Sequence, residues 1–128
     1  MTEGGARFSF PSSQKLTKRT EYLACYNRGQ RYFTTYFILF ILPRPYDGLG
    51  PRLGTAVSKK VGKAVRRNRI KRLIKECFRR NREAIPLDVD LVVVPKKRIP
   101  TKTLTYQQVE DDLVPRLCKI SREHPATS

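Results

Sequence analysis

Few residues in this chain could serve as an acid, a base or a metal ligand. His124 is the only histidine and stands in a polar stretch close to the C-terminus. Asp88 and Asp90 fall on one face of an expected strand, a spacing that could hold a cation but better suits a strand end or edge kept soluble by charge. Glu110, Asp111 and Asp112 fall near the start of an expected helix, where carboxylates complement the positive end of the helix dipole. A hydrolytic centre needs a base, an acid or clustered metal carboxylates in fixed geometry. None of these residues forms a nucleophile, base and orienter set, so no catalytic residue and no metal ligand is assigned. Cys25, Cys77 and Cys118 are odd in number, widely spaced and set among helical apolar positions. They read as small buried hydrophobes in a reducing compartment, not as a disulfide framework or a zinc site.

The chemistry that the residue types do support is anion binding. Between Ser58 and Arg82 lie Lys59, Lys60, Lys63, Arg66, Arg67, Arg69, Lys71, Arg72, Lys75, Arg79, Arg80 and Arg82, with Glu76 as the single acid. A solvated helix face ordinarily mixes Lys with Glu at i,i+4. Here only Glu76, with Arg72 and Arg80 as neighbours, offers that support. The whole chain follows the same bias, with 27 Lys plus Arg against 11 Asp plus Glu and a formal net charge of +16. Such an excess opposes the free fold by self-repulsion and favours a polyanion, of which nucleic-acid phosphate is the obvious candidate.

These cations need a rigid support, and the apolar rhythm supplies it. Ile70, Leu73, Ile74, Cys77 and Phe78 recur at intervals of three and four on one helical stripe. Asn68, Lys71, Arg72, Lys75 and Arg79 fall on the opposite side. Val61 and Val65 are out of phase, so the segment before about Arg66 is a loop or a first turn packed elsewhere.

At 128 residues the chain is expected to be one domain that buries about two thirds of its unfolded surface. Residues 1–13 read as a flexible leader, 14–121 as a single domain and 122–128 as a polar tail. Thr17 is placed to cap a helix over Lys18 to Arg28, with Gly29 as a left-handed end. Within it Tyr22 and Tyr26 share a face, with Arg19 nearby. Arg31 to Leu42 reads as one β-rich strand, with Tyr36, Ile38, Phe40 and Leu42 on one face and Phe37, Leu39 and Ile41 on the other. Both faces need cover, by helices on one side and by a base-stacking surface on the other. Pro43 to Pro51 reads as a hairpin loop, followed by a strand over Arg52 to Ser58 whose Gly54 and Ala56 admit close approach. Pro86 ends the basic helix, and Asp88 to Val94 forms a third strand, completing a βαβ-like unit. Lys96, Lys97, Arg98 and Lys102 make a basic loop. Thr105 and Gln108 form a capping box that opens a helix with Val109, Leu113, Leu117 and Ile120 on one stripe. Pro115 interrupts that helix and can kink it. The fold class is therefore α+β, a small mixed sheet covered by helices. No apolar run reaches the length of a membrane span and no signal-peptide layout opens the chain, so a cytoplasmic setting is expected.

The run from Val57 to Lys75, with Arg67-Asn68-Arg69 followed by Ile70-Lys71-Arg72, resembles the signature of the protein subunit of bacterial ribonuclease P. The resemblance extends from about Phe10 to Ile120. It implies an α-β-β-β-α-β-α order with a left-handed βαβ crossover, against the usual right-handed preference. It also implies a third strand before the basic helix, made by dividing Arg31 to Leu42 at a point the sequence does not reveal. Catalysis, on the resemblance, resides in an RNA subunit that holds Mg2+ and removes the 5′ leader from precursor tRNA. Lys59, Lys60, Lys63, Arg66, Arg67, Asn68, Arg69, Lys71 and Arg72 would then grip that catalytic RNA, chiefly through phosphates and shape. Lys15, Arg19, Tyr22, Tyr26, Tyr36 and Phe40 would line a cleft for the single-stranded leader. No protein partner is expected. Both helical positions carry Tyr where many relatives carry Phe, and the hydroxyls argue for a wetter face.

Three alternatives stay open at this level. The aromatics could be plain core, the chain could be an RNA-binding module of ribosomal-protein type without a leader cleft, or the basic helix could read a DNA major groove.

Overall fold

The computed structural model describes residues 15–44, 50–85 and 88–123. Its elements are α1 (Arg19–Arg28), β1 (Gln30–Phe33), β2 (Phe37–Pro43), β3 (Arg52–Thr55), α2 (Ala64–Arg80), β4 (Val89–Pro95) and α3 (Tyr106–Glu123). Short 3-10 turns at Lys59–Val61 and Arg82–Ala84 bracket α2. This is the expected α-β-β-β-α-β-α order. The strands lie in the order β1-β2-β4-β3, with β3 and β4 parallel and the other pairs antiparallel. Parallel neighbours need a crossover, and α2 provides it. Outside β3, Lys15 bridges Leu53 in parallel and the Leu16 N–H donates to the Leu53 carbonyl at 3.0 Å.

Period-two alternation divides the sheet into two faces. Phe37, Leu39, Ile41, Leu53, Leu91 and Val93 point to one side, where they meet Ile70, Ile74, Cys77 and Phe78 of α2 and Val109, Leu113, Leu117 and Ile120 of α3 in the main core. Both helical stripes read from the sequence are thus the buried ones. Ile70, Ile74 and Phe78 are fully buried, each contributing about 1.5–3 kcal/mol. Like-charge pairs along the same helix cost only about 0.2–0.5 kcal/mol each. Apolar burial therefore holds α2 in place despite its charge. The opposite face of the sheet packs Leu16, Cys25 and Val92 together, with Tyr22, Phe40, Leu42, Ala56 and Val94 against them.

Several local expectations are corrected. Arg31 to Leu42 is not one strand, because Thr34 to Tyr36 turn the chain between β1 and β2. The Thr34 N–H donates to the Phe37 carbonyl at 2.9 Å. The Asp112 carboxylate accepts from Thr34 Oγ1, the Thr35 N–H and the Tyr36 N–H at 2.7, 2.8 and 2.8 Å. Asp112 thus closes a turn of the sheet instead of serving its own helix dipole. Nor do β2 and β3 form a hairpin, since β4 lies between them; residues 45–49 of the intervening loop lie outside the described residues. Strand β3 stops at Thr55, short of Ser58.

At α1 the N-cap is Lys18, not Thr17, and the Glu21 carboxylate accepts from both their N–H groups at 2.9 Å. Gly29 is extended, with φ −77°, and is not a left-handed cap. The Thr105–Gln108 capping box forms as expected, with reciprocal bonds of 2.9 and 3.2 Å. Pro115 lies inside α3, which runs through Arg122 to Glu123. The leader at 1–13, Pro86, His124 and the end of the polar tail lie outside the described residues.

Asp88 and Asp90 are buried, because β4 is a central strand and not an edge. Asp90 takes two bonds from Arg52, at 2.7 and 2.8 Å, and one from Arg44 at 3.2 Å. Asp88 Oδ1 accepts from the Gly50 N–H at 2.8 Å. A carboxylate this enclosed must be paired, and both the cation and the solubility readings give way to that structural role. Cys25 and Cys77 are buried free thiols, and burial pushes them up to about 11 and about 12. Cys118 is only half-buried, with its Sγ 3.3 Å from the Ala84 carbonyl oxygen.

Candidate nucleic-acid interface

Helix α1 lies across the second face of the sheet. Strand register puts Arg31, Phe40, Val92 and Gly54 in one row and Phe33, Ile38, Val94 and Ala56 in the next. Tyr22 lies over Gly54, where a Cβ would come within 2.8 Å of the ring. The close approach anticipated at this glycine is therefore made by the chain's own helix. One turn further, Tyr26 meets Phe40 edge to face, with centroids 4.9 Å apart and planes at 83°. Tyr26 is 38% exposed, and Tyr22 and Phe40 are half-buried. Burial raises both tyrosines above their ordinary value, so at neutral pH their hydroxyls keep their protons and can donate.

Tyr36 does not join this group. It sits at the turn into β2, packs against the main core and stands edge-on to Phe37 at 6.5 Å. Arg19 is exposed at the first position of α1. Lys15 is half-buried beside Leu16, which belongs to the same cluster as Tyr22 and Phe40. Lys75 joins Lys15 from α2. Lys75 is exposed, and partial burial and then the nearby charges of Lys15 and Lys71 lower its pKa. Lys75 was not singled out as a site residue, although its i,i+4 spacing from Lys71 was a usable signal.

The second surface is the entry to α2. Ser58 Oγ accepts from the Lys60 N–H at 3.1 Å and caps the 3-10 turn. Gly62 follows with φ 158° and ψ −171°, a conformation essentially reserved for glycine. The nine predicted RNA-binding residues then take different parts. Lys59, Lys60, Lys63, Asn68 and Arg72 are exposed, while Arg66, Arg67, Arg69 and Lys71 are half-buried. Arg67 Nε donates to the Gly62 carbonyl at 3.2 Å and fixes the turn. Arg69 Nη2 donates to the Leu104 carbonyl at 2.5 Å, tying α2 to the loop before α3.

Glu76 is held at 2.6 Å by Arg79 and 2.7 Å by Arg80 near the C-terminal end of α2, not by Arg72. No acid stands in the first turn of α2. The positive end of its dipole therefore adds to the field of the exposed lysines, a ready position for phosphate.

The family profile of ribonuclease P matches residues 10–121. The chain belongs to the ribonuclease P protein family. The ribonuclease P protein component of Desulfovibrio desulfuricans is 45% identical over 122 residues, 95% of this chain and 94% of that protein. That of Oleidesulfovibrio alaskensis is 47% identical over 108 residues, covering 83% and 85%. The solved RNase P protein of Thermotoga maritima in complex with 1-(4-fluorophenyl)-2-thiourea superimposes with a TM-score of 0.75 at 33% identity, over 82% of this chain and 98% of that one. The Staphylococcus aureus RNase P protein gives 0.71 at 30% identity, over 85% and 95%. Membership makes this chain a protein component of ribonuclease P, the ribonucleoprotein of tRNA 5′ processing.

Proposed function

We propose that this ribonuclease P protein uses its two surfaces for two RNAs while the RNA subunit carries out the cleavage. The exposed cations from Lys59 to Arg72 and the N-terminus of α2 bind phosphates of the catalytic RNA. Arg67 and Arg69 act within that surface by holding its turn and its neighbouring loop in register. The cleft under α1 takes the single-stranded 5′ leader of precursor tRNA, with bases against Tyr22, Tyr26 and Phe40 and phosphates toward Lys15 and Arg19. Tyr36 is left out of this assignment because it packs on the other core.

The observation that carries the leader reading is a group of three part-exposed aromatic side chains, Tyr22 over Gly54 and Tyr26 edge-on to Phe40, with Lys15 beside Leu16 of the same cluster. Single strands are held in this way, because every base has a stacking face and every linkage a charge. Cleavage by water at the junction phosphorus, with departure of the leader's 3′ oxygen, leaves a leader with a 3′-hydroxyl and a tRNA with a 5′-phosphate. We assign Mg2+ to the RNA subunit, since the described residues of the protein offer it no fitting set of ligands. Among the described residues no three His, Cys, Asp or Glu side chains cluster, and Asp90 and Asp112 are already engaged. The setting is the cytoplasm, in keeping with three free thiols and with no membrane-length apolar helix among the described residues.

The test is Tyr22→Ala with Tyr26→Ala in the assembled holoenzyme. Affinity for leader-bearing precursor should fall about tenfold or more, with mature tRNA scarcely changed. Equal losses for both would remove the leader assignment.

A further inference from the structure

Beside the cleft, the same face of the sheet carries an aromatic ring that the leader assignment does not use. Register sets Phe33 opposite Ile38 and Arg31 opposite Phe40. Phe33 therefore stands one strand over and one row along from Phe40, a diagonal of about 7–8 Å. It is 53% exposed on the edge strand. The Arg31 guanidinium and the Lys96 ammonium lie 5.5 and 5.7 Å from its ring centroid. Past the ring opens a groove of about 550 Å³ between the β1–β2 turn and α3, with Arg116 and Lys119 on its far wall.

Charge and shape name the occupant. Asp112 also lines the groove, but its oxygens are turned into the Thr34 to Tyr36 backbone and hydroxyl donors. The four flanking cations, Arg31, Lys96, Arg116 and Lys119, therefore leave an excess of positive charge. Arg116 Nε is buried without a hydrogen-bond partner. Lys96 Nζ donates to the Thr34 carbonyl and the Arg116 guanidinium lies 5.3 Å from the Tyr32 ring centroid, contacts that leave their charge in place. An apolar peptide would bring no counter-charge, whereas a single-stranded nucleotide supplies a ring for Phe33 and a phosphate for its neighbours.

We propose that Phe33, bracketed by Arg31 and Lys96, is a further stacking subsite for single-stranded RNA. It takes the leader nucleotide adjoining those held at Tyr26 and Phe40, and the strand leaves toward Arg116 and Lys119. This rests on the leader-cleft assignment, so the experiment separates the two.

Holoenzyme affinity is measured for precursors whose leaders lengthen one nucleotide at a time, with wild type, Phe33→Ala, Phe33→Tyr and Tyr26→Ala. Phe33→Ala should erase the gain at one leader length, about tenfold, with mature tRNA unaffected and with Phe33→Tyr restoring it. A Phe33→Ala series that follows wild type step for step overturns the subsite, and so does an equal loss for mature tRNA, which would put another RNA segment on the ring. If Tyr26→Ala loses its leader gain while Phe33→Ala keeps every step, only the subsite falls. If Tyr26→Ala keeps every step, the cleft assignment itself has failed.

Discussion

Tyr22 lies so close over Gly54 that a single added carbon on the glycine would come within 2.8 Å of the ring. The floor of the cleft and its aromatic wall are thus fitted to one another across two elements far apart in sequence. Gly54→Val should push Tyr22 and α1 off the sheet. Overpacking of this kind costs about 1–3 kcal/mol, readable by urea denaturation, and leader-dependent affinity should fall with it. Unchanged precursor binding in the folded variant would show that Tyr22 does not need its present position.

Asp90 links the cleft to its support. Arg52 donates to it twice and also stands 3.5 Å from Glu21 at the start of α1. Asp90→Asn removes a buried charge that both Arg44 and Arg52 bond, at a cost of about 3 kcal/mol. The urea midpoint should drop at constant m-value, and precursor affinity should weaken because α1 loses its tie through Arg52. A midpoint within error of wild type would contradict the role given to this pair.

Acid should destabilise the protein in a defined window. Hydrogen bonds from Arg79 and then Arg80 hold Glu76 below its ordinary value of 4.5. The Lys18 N–H does the same for Glu21, and Asn81 for Glu110. A carboxylate lowered in the fold contributes stability that is complete above its unfolded value and disappears as pH falls through the folded one. Thermal midpoints should therefore hold from neutral pH to about 5 and fall below it. Glu76→Gln should flatten that acid limb, and an unaltered limb would argue against the Arg79–Glu76–Arg80 group.

Affinity for the RNA subunit should be strongly salt-dependent. With about six to ten phosphate contacts, it should drop about a thousandfold or more between 50 and 200 mM salt. Lys63→Ala and Arg72→Ala should each lower the log–log slope by about one. A flat profile would rule out a phosphate grip.

The parts of the fold that could be read directly were those set by neighbours in sequence. The stripe from Ile70 to Phe78 and the Thr105–Gln108 box are local patterns, and local physics decides them. The division of β1 from β2 was hidden because the turn at Thr34 to Tyr36 contains neither Gly nor Pro and is closed by Asp112 on a distant helix. The hairpin expected after Pro43 failed for a related reason, since β4 enters the sheet between β2 and β3. Asp88 and Asp90 were misread because their partners come from other strands and loops. In the candidate site, Tyr22, Tyr26 and Phe40 converge, whereas Tyr36 sits at the turn and faces the main core. Face alternation would have kept Tyr36 with Phe40 had the strand continued unbroken. Phe33 lay in the same run and became visible only once register set it beside the cleft.

The most direct test is reconstitution. The purified chain is mixed with a bacterial ribonuclease P RNA at limiting magnesium, and release of the 5′ leader from precursor tRNA is followed. The RNA alone should be slow, the protein alone inert, and the mixture should restore 5′ maturation. Cleavage by the protein without RNA, or no response of the RNA to the protein, would contradict this division of labour between protein and RNA.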